Sequence, residues 1–433
     1  MVQDSKNQPM PANPGANMNT AGTTRKRPLD GIRVLDLSRV LAGPWCTQNL
    51  ADLGAQVIKI ERPGAGDDTR TWGPPFLRDA EGRDTSESAY FLCANRNKQS
   101  VAIDMSSPEG AALIREFAKS CDVVVENFKV GGLKKYGLDY ESLSAINPRL
   151  VYCSVTGFGQ SGPLSQRAGY DFLIQGMGGL MSITGEPNSV AGGGPEKVGV
   201  AVTDLMAGMY ATTGVLAALM ERGKSGLGQH LDIALLDCQL AMLANQSMNY
   251  LTTGIAPQRM GNAHPNIVPY QTFAASDGHV IVACGNDSQF RSLCTAMNVP
   301  ELALDTRFAT NSGRSVNRAE LLPQLAAVFM TRPRDAWVDA LEACGVPCGP
   351  INDIAQAFGS EQAQFRGAAR EIPHLVAGVA PTVASPLRLS ATPVAYEQAP
   401  PMLGQHTSAM LRDVLGMSDV QIEALMRTGV IGG

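Results

Sequence analysis

The chain has 433 residues, of which 44% are hydrophobic and 17% are charged, and its formal net charge is −5. This length predicts two or three domains, each with a substantial hydrophobic core. The weakly acidic charge balance gives no electrostatic reason to expect binding to nucleic acid or to a membrane surface, so neither is predicted as a partner.

The first segment, residues 1–28, is rich in Pro, Asn, Gly and Thr and lacks the apolar stretch of a signal peptide. We predict a disordered tail there. Nine cysteines, an odd number, and five histidines are scattered without the spacing of metal ligands. This pattern favours reduced thiols, a cytoplasmic protein and no bound metal.

Residues 29–223 alternate short apolar strands with helices. The pattern predicts strands at 32–37, 56–60, 100–104, 122–125 and 150–155, and helices at 45–53, 108–119 and 205–220. Strands that alternate with helices favour a parallel sheet covered on both faces, and therefore an α/β fold.

The pattern changes after Gly223. The sequence predicts a helix near 235–251, a strand at 279–284, and amphipathic helices near 288–297, 318–330 and 334–343. We interpret 224–345 as a smaller α+β domain. The last segment, 346–433, returns to short strands and loops with a final helix at 407–415.

Asp204 is the only charged residue between Lys197 and Glu221, at the start of the long apolar helix predicted over 205–220. A carboxylate in such surroundings is unfavourable unless it is hydrogen-bonded, paired or reactive. A helix start favours an anion, so an N-cap role is one interpretation. A carboxylate nucleophile is the other, and the position alone does not decide between them.

Two other features concern ligands. Residues 157–162 match the dinucleotide fingerprint GxGxxG, but Pro163 follows and no helix begins there, so the glycines are better interpreted as a tight turn. Ligands of open α/β sheets bind at the carboxyl edge, so cations that follow strands are either surface charges or a site for a phosphorylated ligand. These cations are Lys59, Arg62, Arg70, Arg96 and Lys98.

Several ordered segments together resemble the class III CoA-transferases, the group of the formyl-CoA:oxalate and carnitine CoA-transferases. The segments are Ile32-Arg-Val-Leu-Asp-Leu37, Leu41-Ala-Gly-Pro44, Gly54-Ala-Gln-Val-Ile-Lys-Ile-Glu-Arg62, Asn95-Arg-Asn-Lys98, Val125-Glu-Asn-Phe128, Thr156-Gly-Phe-Gly159, Gly208-Met209 and Leu403-Gly-Gln-His406. The resemblance extends from about Leu29 to the C-terminus.

The resemblance implies that Asp204 is the catalytic nucleophile and forms an aspartyl-CoA thioester. It implies a Rossmann-like large domain built from both ends of the chain, a smaller middle domain, and an interlocked, ring-like homodimer. CoA thioesters and carboxylic acids are then substrates, and no separate cofactor is expected. The implied substrate and CoA contacts are Val40, Leu41, Ala42, Arg62, Ile103, Met105, Asn127, Phe128, Lys135 and Tyr170.

The family also contains α-methylacyl-CoA racemases, which pair the aspartate with a histidine in an Ala-Gly-His-Asp segment. This chain has Tyr170 in that place, within Ala168-Gly-Tyr-Asp171. A tyrosine, with a reference pKa near 10, is a poor replacement for a group that must exchange a proton near neutral pH. CoA transfer is therefore favoured, with racemisation as the alternative.

The acceptor acid is suggested only by the branch that the chain resembles. Oxalate-type members have Gln in place of Leu41 and a tetraglycine loop in place of His264-Pro-Asn-Ile267. The chain is more similar to the succinyl-CoA:glutarate branch, which implies a dicarboxylic acceptor with succinyl-CoA as donor. Candidate acceptor contacts are Arg39, Arg259, Gly261 and His264.

Overall fold

The computed structural model describes residues 26–433, so the predicted tail lies almost entirely outside the described residues. The strands are β1 Arg33–Asp36, β2 Gln56–Glu61, β3 Phe76–Arg78, β4 Asp84–Ser88, β5 Lys98–Ile103, β6 Val123–Glu126, β7 Val151–Thr156, β8 His230–Ala234, β9 Tyr270–Ala275, β10 Gly278–Ala283, β11 Cys348–Pro350, β12 Ala369–His374, β13 Gly378–Val383 and β14 Ile431–Gly432.

The α-helices are α1 Ala42–Asp52, α2 Ala89–Leu92, α3 Pro108–Ser120, α4 Tyr140–Ile146, α5 Asp171–Met177, α6 Val202–Ser225, α7 Leu235–Met242, α8 Ala244–Thr253, α9 Asp287–Ala296, α10 Pro300–Leu304, α11 Asn311–Val316, α12 Arg318–Phe329, α13 Arg334–Ala343, α14 Ile354–Gly359, α15 Glu361–Phe365, α16 Thr407–Leu415 and α17 Asp419–Arg427. Short 3₁₀ helices occur at Asp68–Thr71, Lys134–Tyr136 and Leu180–Ser182.

The chain divides into two compact units. Within the described residues, the large unit contains residues 26–178, 200–243 and 360–433, and the small unit contains residues 179–199 and 244–359. These limits differ from the predicted ones, 223/224 and 345/346. The main reason is β8, a strand that the prediction did not include: it pairs in parallel with β7, which keeps this part of the chain in the large unit.

The large unit is built on a seven-stranded sheet with the order β14-β5-β2-β1-β6-β7-β8. All neighbours are parallel except the last strand of the chain, β14, which is antiparallel to β5. The chain winds outward from β1 in one direction through β2 and β5, and from β6 in the other through β7 and β8. The neighbours β1 and β6 therefore form the switch point, where the carboxyl edge of such a sheet opens a ligand crevice.

Apolar side chains of the central strands alternate between the two faces of the sheet, as the two-residue period of a strand requires. On β1, Val34 belongs to the core shared with α1 and α6, whereas Leu35 belongs to the core shared with α3 and α16. Both faces are thus covered by helices. The predicted α/β class with a mostly parallel sheet is confirmed.

Most of the cations predicted to follow strands are engaged in buried ion pairs. Lys59 bonds Asp67 at 2.9 Å and Lys98 bonds Asp36 at 3.1 Å. Arg96 pairs with Asp52, and Arg70 pairs with both Glu61 and Glu87. Neither alternative from the sequence holds for these four cations: they are buried and so are not surface charges, and each has a carboxylate partner in place of a phosphorylated ligand. Arg62 alone of the five remains exposed and outside such a pair within residues 26–433.

Helix α6 has the length and apolar composition of a membrane span, as does the core helix of many globular proteins. In the large unit it packs on α1, and Gly208 lies where the two helices touch. A Cβ atom at Gly208 would lie 2.8 Å from the Ala42 carbonyl oxygen and 3.0 Å from the Trp45 Cβ atom. A side chain at this position would therefore separate the two helices.

The small unit contains the antiparallel sheet β11-β10-β9, whose core includes the aromatic side chains Phe273, Phe329 and Trp337. The single helix predicted over 235–251 is wrong. It is two helices, α7 and α8, because Ala244 has a φ of 45°, outside the right-handed helical region.

Candidate active site

Asp204 is the third residue of α6 and not its N-cap, which is Ala201 without a side-chain cap. Another aspartate performs the capping function. The Asp171 carboxylate accepts a hydrogen bond from the Thr203 amide at 2.8 Å and a longer one from the Asp204 amide at 3.4 Å. Asp171 is itself held by the Gln175 side-chain amide at 2.6 Å. The N-cap interpretation of Asp204 is therefore wrong.

The Asp204 carboxylate is half-buried and accepts no hydrogen bond or ion pair from any residue in the described range. Burial, and secondly the negative charge of Asp171, raise the pKa of Asp204 from 3.8 to about 7. Burial penalises the charged form, and a like charge does the same. A carboxylate in this state is unusually basic for its type, which is the property required of a nucleophile or a base near neutral pH.

Asp204 lines a cavity of about 240 Å³ in the large unit, at the carboxyl edge of the sheet beside the switch point. Several of the predicted site residues meet there: Arg39, Val40, Leu41, Ala42, Asn127, Phe128, Tyr170 and Asp204. The remaining charged residues that line it are Asp68, Lys129 and Arg167.

The wall formed by residues 40–42 has two features that suit a reaction site. Val40 has a φ of 71°, a conformation that is strained for a β-branched residue and that occurs preferentially at functional sites. The N-terminus of α1 has no side-chain cap. The Leu41 and Ala42 amides have no acceptor among the described residues, so they are free to bind an oxygen atom in the cavity.

A larger cavity of about 750 Å³ lies on the other side of Arg39 and Phe128, which line both cavities. It is lined by four further residues predicted to contact CoA: Arg62, Ile103, Met105 and Lys135. The structure thus brings all the predicted CoA contacts to two neighbouring cavities of one unit. Their individual contacts with CoA stay predictions.

The boundary between the cavities is fixed by contacts across the switch point. The Asn127 carboxamide bonds both backbone groups of Arg39, accepting from its amide at 2.9 Å and donating to its carbonyl at 2.6 Å. The Arg39 guanidinium pairs with Asp68 at 2.8 Å and lies 5.2 Å from the centre of the Phe128 ring. Arg39 is therefore a neutralised cation at this boundary.

The other predicted acceptor contacts lie in the small unit and make local contacts there. Arg259 bonds the Glu186 carbonyl at 3.1 Å. Gly261, with a φ of 57°, packs against the Glu186 carboxylate. His264 accepts hydrogen bonds from two backbone amides at 3.0 Å each, and burial followed by the nearby Arg318 lowers its pKa. Their role toward an acceptor stays a prediction.

Sequence reasoning missed three residues of the site. Asp171 appeared in the sequence analysis only as part of the Ala168–Asp171 segment. Its carboxylate caps α6 by accepting from an amide 33 residues further along the chain, and no local sequence pattern indicates such a contact. Lys129 and Arg167 lie in loops where a single cation is usually a surface charge. In the part of the chain that the structure describes, no three His, Cys, Asp or Glu side chains are placed to hold a metal ion.

The family model described as CoA-transferase family III matches residues 29–407. A succinate–glutarate CoA-transferase from Agrobacterium fabrum is 49% identical over 390 residues, which cover 90% of this chain and 96% of that protein. Succinyl-CoA:glutarate CoA-transferase from Homo sapiens is 44% identical over 405 residues, covering 94% and 90%. The crystal structure of a CAIB/BAIF family protein from Brucella suis has a TM-score of 0.78 and 50% identity, and the match covers 90% of this chain and 100% of that chain.

Proposed function

This chain belongs to CoA-transferase family III, and from that premise we propose that it moves CoA from succinyl-CoA to a dicarboxylic acid of about the length of glutarate. Enzymes named for that exchange are 44% and 49% identical to it over at least 90% of the chain. One structural observation carries the assignment of the reacting group. Asp204, a carboxylate whose pKa is raised to about 7, lines a cavity beside the larger one, which is lined by four of the predicted CoA contacts.

In the first half of the proposed reaction, ionised Asp204 attacks the thioester carbonyl carbon of succinyl-CoA. The C–S bond breaks, leaving a mixed anhydride of Asp204 and free CoA thiolate. The thiolate then attacks the aspartyl carbonyl and releases succinate, so that CoA is held as an aspartyl thioester. A covalent route of this kind divides one difficult exchange into easier steps.

In the second half, the acceptor carboxylate attacks the aspartyl-CoA carbonyl and releases CoA thiolate. The thiolate attacks the acceptor's acyl carbon in the new anhydride, which gives acyl-CoA and restores the Asp204 carboxylate. Electron pairs and charges balance at each step, and the only proton requirement is that Asp204 starts ionised. Water must be kept from the anhydrides and the thioester, because hydrolysis would end the exchange.

The oxyanion of each tetrahedral intermediate needs hydrogen-bond donors. The start of α6 lies beside Asp204, but its first amides are engaged. The Val202 amide bonds the Val200 carbonyl, and the Thr203 and Asp204 amides bond Asp171. The free amides at the start of α1, on Leu41 and Ala42, are the better donors because they line the same cavity as Asp204.

Racemisation, the alternative activity, would require a second proton-exchanging group opposite Asp204. Tyr170 lines the cavity but is 69% exposed. Of the described residues that line this cavity, none is a histidine. This supports transfer over racemisation.

The proposed enzyme is a cytoplasmic homodimer whose subunits interlock, with CoA thioesters as substrates and no separate cofactor. Support for the dimer comes from large apolar side chains left exposed on α6, including Met209, Tyr210 and Met220. All nine cysteines are free thiols, as expected in a reducing compartment.

The test is intact-protein mass spectrometry after incubation with succinyl-CoA alone. We expect an adduct of the mass of CoA less water, located on the peptide that contains Asp204 and removed on adding glutarate, with glutaryl-CoA formed. Asp204→Asn should give neither adduct nor glutaryl-CoA, whereas Asp237→Asn, a change of an exposed aspartate in α7, should give both. An Asp204→Asn variant that still exchanges CoA would remove Asp204 from the reaction.

A further inference from the structure

We propose that Arg167 binds the distal carboxylate of the dicarboxylic acyl group, and so selects dicarboxylic over monocarboxylic acids. The inference rests on the proposed function, which it extends by naming the residue that recognises the second charge of the substrate.

Five charged side chains line the Asp204 cavity: Arg39, Asp68, Lys129, Arg167 and Asp204 itself. Arg39 and Asp68 neutralise each other through their 2.8 Å ion pair. Lys129 also lines the larger cavity, which is lined by the predicted CoA contacts Arg62, Ile103, Met105 and Lys135. Arg167 differs from both other cations. It lines the Asp204 cavity but not the larger one, and it has no acidic partner within the described range.

The position of Arg167 is set by the glycine-rich motif of residues 157–162, which does not lead into a helix. A Cβ atom at Gly157 would lie 2.6 Å from the Gly169 Cα atom, so the two ends of the loop touch and neither has room for a side chain. Within this closed loop the Arg167 guanidinium lies 5.8 Å from the centre of the Phe158 ring. Arg167 is thus an exposed residue, two positions before Gly169, whose side chain lines the cavity beside the Phe158 ring.

Arg167 is not a partner of the reacting carboxylate. Burial and Asp171 raise the pKa of Asp204, and no cation opposes them. A guanidinium within about 4–6 Å would favour the ionised form and lower that pKa. Arg167 and Asp204 line the same cavity, and no ion pair joins them among the described residues. Arg167 can therefore bind one end of a diacid while the other end reacts at Asp204.

The guanidinium suits this task because its planar fork can donate two parallel hydrogen bonds to a carboxylate. The donor succinyl group and the acceptor dicarboxylate occupy the acyl cavity in turn, and each has one carboxylate that does not react. One arginine can therefore serve both halves of the reaction.

The test compares two acceptors of equal length, glutarate and its monoamide glutaramate, with succinyl-CoA as the donor for both. In a ping-pong exchange, kcat/KM for an acceptor reports only the second half of the reaction, so the donor does not affect the comparison. We expect the wild type to prefer glutarate, and Arg167→Gln to reduce this preference by about ten- to hundredfold. Arg167→Lys should keep an intermediate preference.

Arg291→Gln, which changes an exposed arginine of α9 in the small unit, is the matched control and should keep the wild-type preference. An Arg167→Gln variant that loses activity equally on both acceptors, with an unchanged ratio, would overturn the proposal, and so would an unchanged ratio at full activity. If the wild type formed neither glutaryl-CoA nor the Asp204 adduct, the proposed function would fail first, and this inference with it.

Discussion

Replacing Asp171 with asparagine should shift the pH dependence of the enzyme toward lower pH. The pKa of Asp204 is raised from 3.8 to about 7 first by burial and second by the charge of Asp171. Asp204 must be ionised to attack, so activity should increase with pH through about 7 in the wild type. The asparagine side chain of the Asp171→Asn variant would have no charge, but its carbonyl oxygen could still accept the 2.8 Å hydrogen bond from the Thr203 amide.

The size of this shift is bounded by the order of the two causes. Burial is the larger, so Asp171 accounts for less than half of the difference of about 3 pH units, and the variant's pKa should fall by at most about 1.5 pH units. For a decrease to about 6, the ionised fraction of Asp204 at pH 6 rises from about 0.1 to about 0.5. We therefore express the activity of each enzyme at pH 6 as a fraction of its own plateau at high pH. This fraction should be about five times larger for the variant than for the wild type.

The assay is kcat/KM for succinyl-CoA at saturating glutarate between pH 5 and 9, because this constant reports ionisations of the free enzyme. Asp237→Asn, in the first turn of α7, is the control and should keep the wild-type profile. If the acid limb of Asp171→Asn coincides with that of the wild type while thermal melting shows an intact fold, Asp171 does not act on Asp204 by its charge. A wild-type limb near pH 4 would refute the raised pKa itself.

Three other predictions concern stability and packing. The folded-state pKa of Asp204 exceeds its unfolded value of 3.8, so the ionised carboxylate destabilises the folded protein. This destabilisation is absent below about pH 4, where Asp204 is protonated in both states, and complete above about pH 7. Asp204→Asn should therefore raise the free energy of unfolding in urea by about 1–2 kcal/mol at pH 8, allowing for partial exposure, and by little at pH 4; equal effects at both pH values would contradict this. Arg96→Met should lower the free energy of unfolding by about 3–5 kcal/mol, because the variant leaves the Asp52 carboxylate buried without its cationic partner. Arg62→Met should leave the free energy of unfolding nearly unchanged and should raise KM for succinyl-CoA, because Arg62 lines the larger cavity. Gly208→Ala should reduce kcat, because the added methyl group displaces α6 from α1. Gly223→Ala is the control and should keep the wild-type kcat, because a Cβ atom at that position meets open space. Equal kcat values for the two variants would show that the contact at Gly208 is unimportant.

The sequence predicted the parts of the fold that depend on local pattern. The strands at 32–37 and 56–60 and the helix at 334–343 match β1, β2 and α13 within two residues, because their apolar period is regular. The edge strand β8 was missed. Its residues, His230-Leu-Asp-Ile-Ala234, follow a turn and precede a helix, and their strand character depends on pairing with β7.

The candidate site was predictable in its reacting group and not in its surroundings. Asp204 stood out because its neighbours in the sequence are apolar. Asp171, which caps α6 and repels Asp204, could not be assigned that role because the contact joins two helices that are distant in the sequence. The cations that follow strands were misread for the same reason. Whether Lys98 meets a ligand or Asp36 depends on tertiary contacts that a list of charged residues does not contain.

A raised pKa does not by itself identify the nucleophile, because Glu126 also has a pKa of about 7, raised by burial. The two carboxylates differ in their hydrogen bonds. Glu126 is 6% exposed and accepts hydrogen bonds from the Phe128 amide, at 2.7 Å, and from Ser154. Asp204 accepts none from the described residues and shares its cavity with the free amides of α1. Buried carboxylates elsewhere in the large unit, such as Asp36 and Asp52, have cationic partners that hold them in place. Asp204 is the basic carboxylate that the fold leaves without such partners at the end of a cavity, and a substrate carbonyl can therefore take the place that a partner would otherwise occupy.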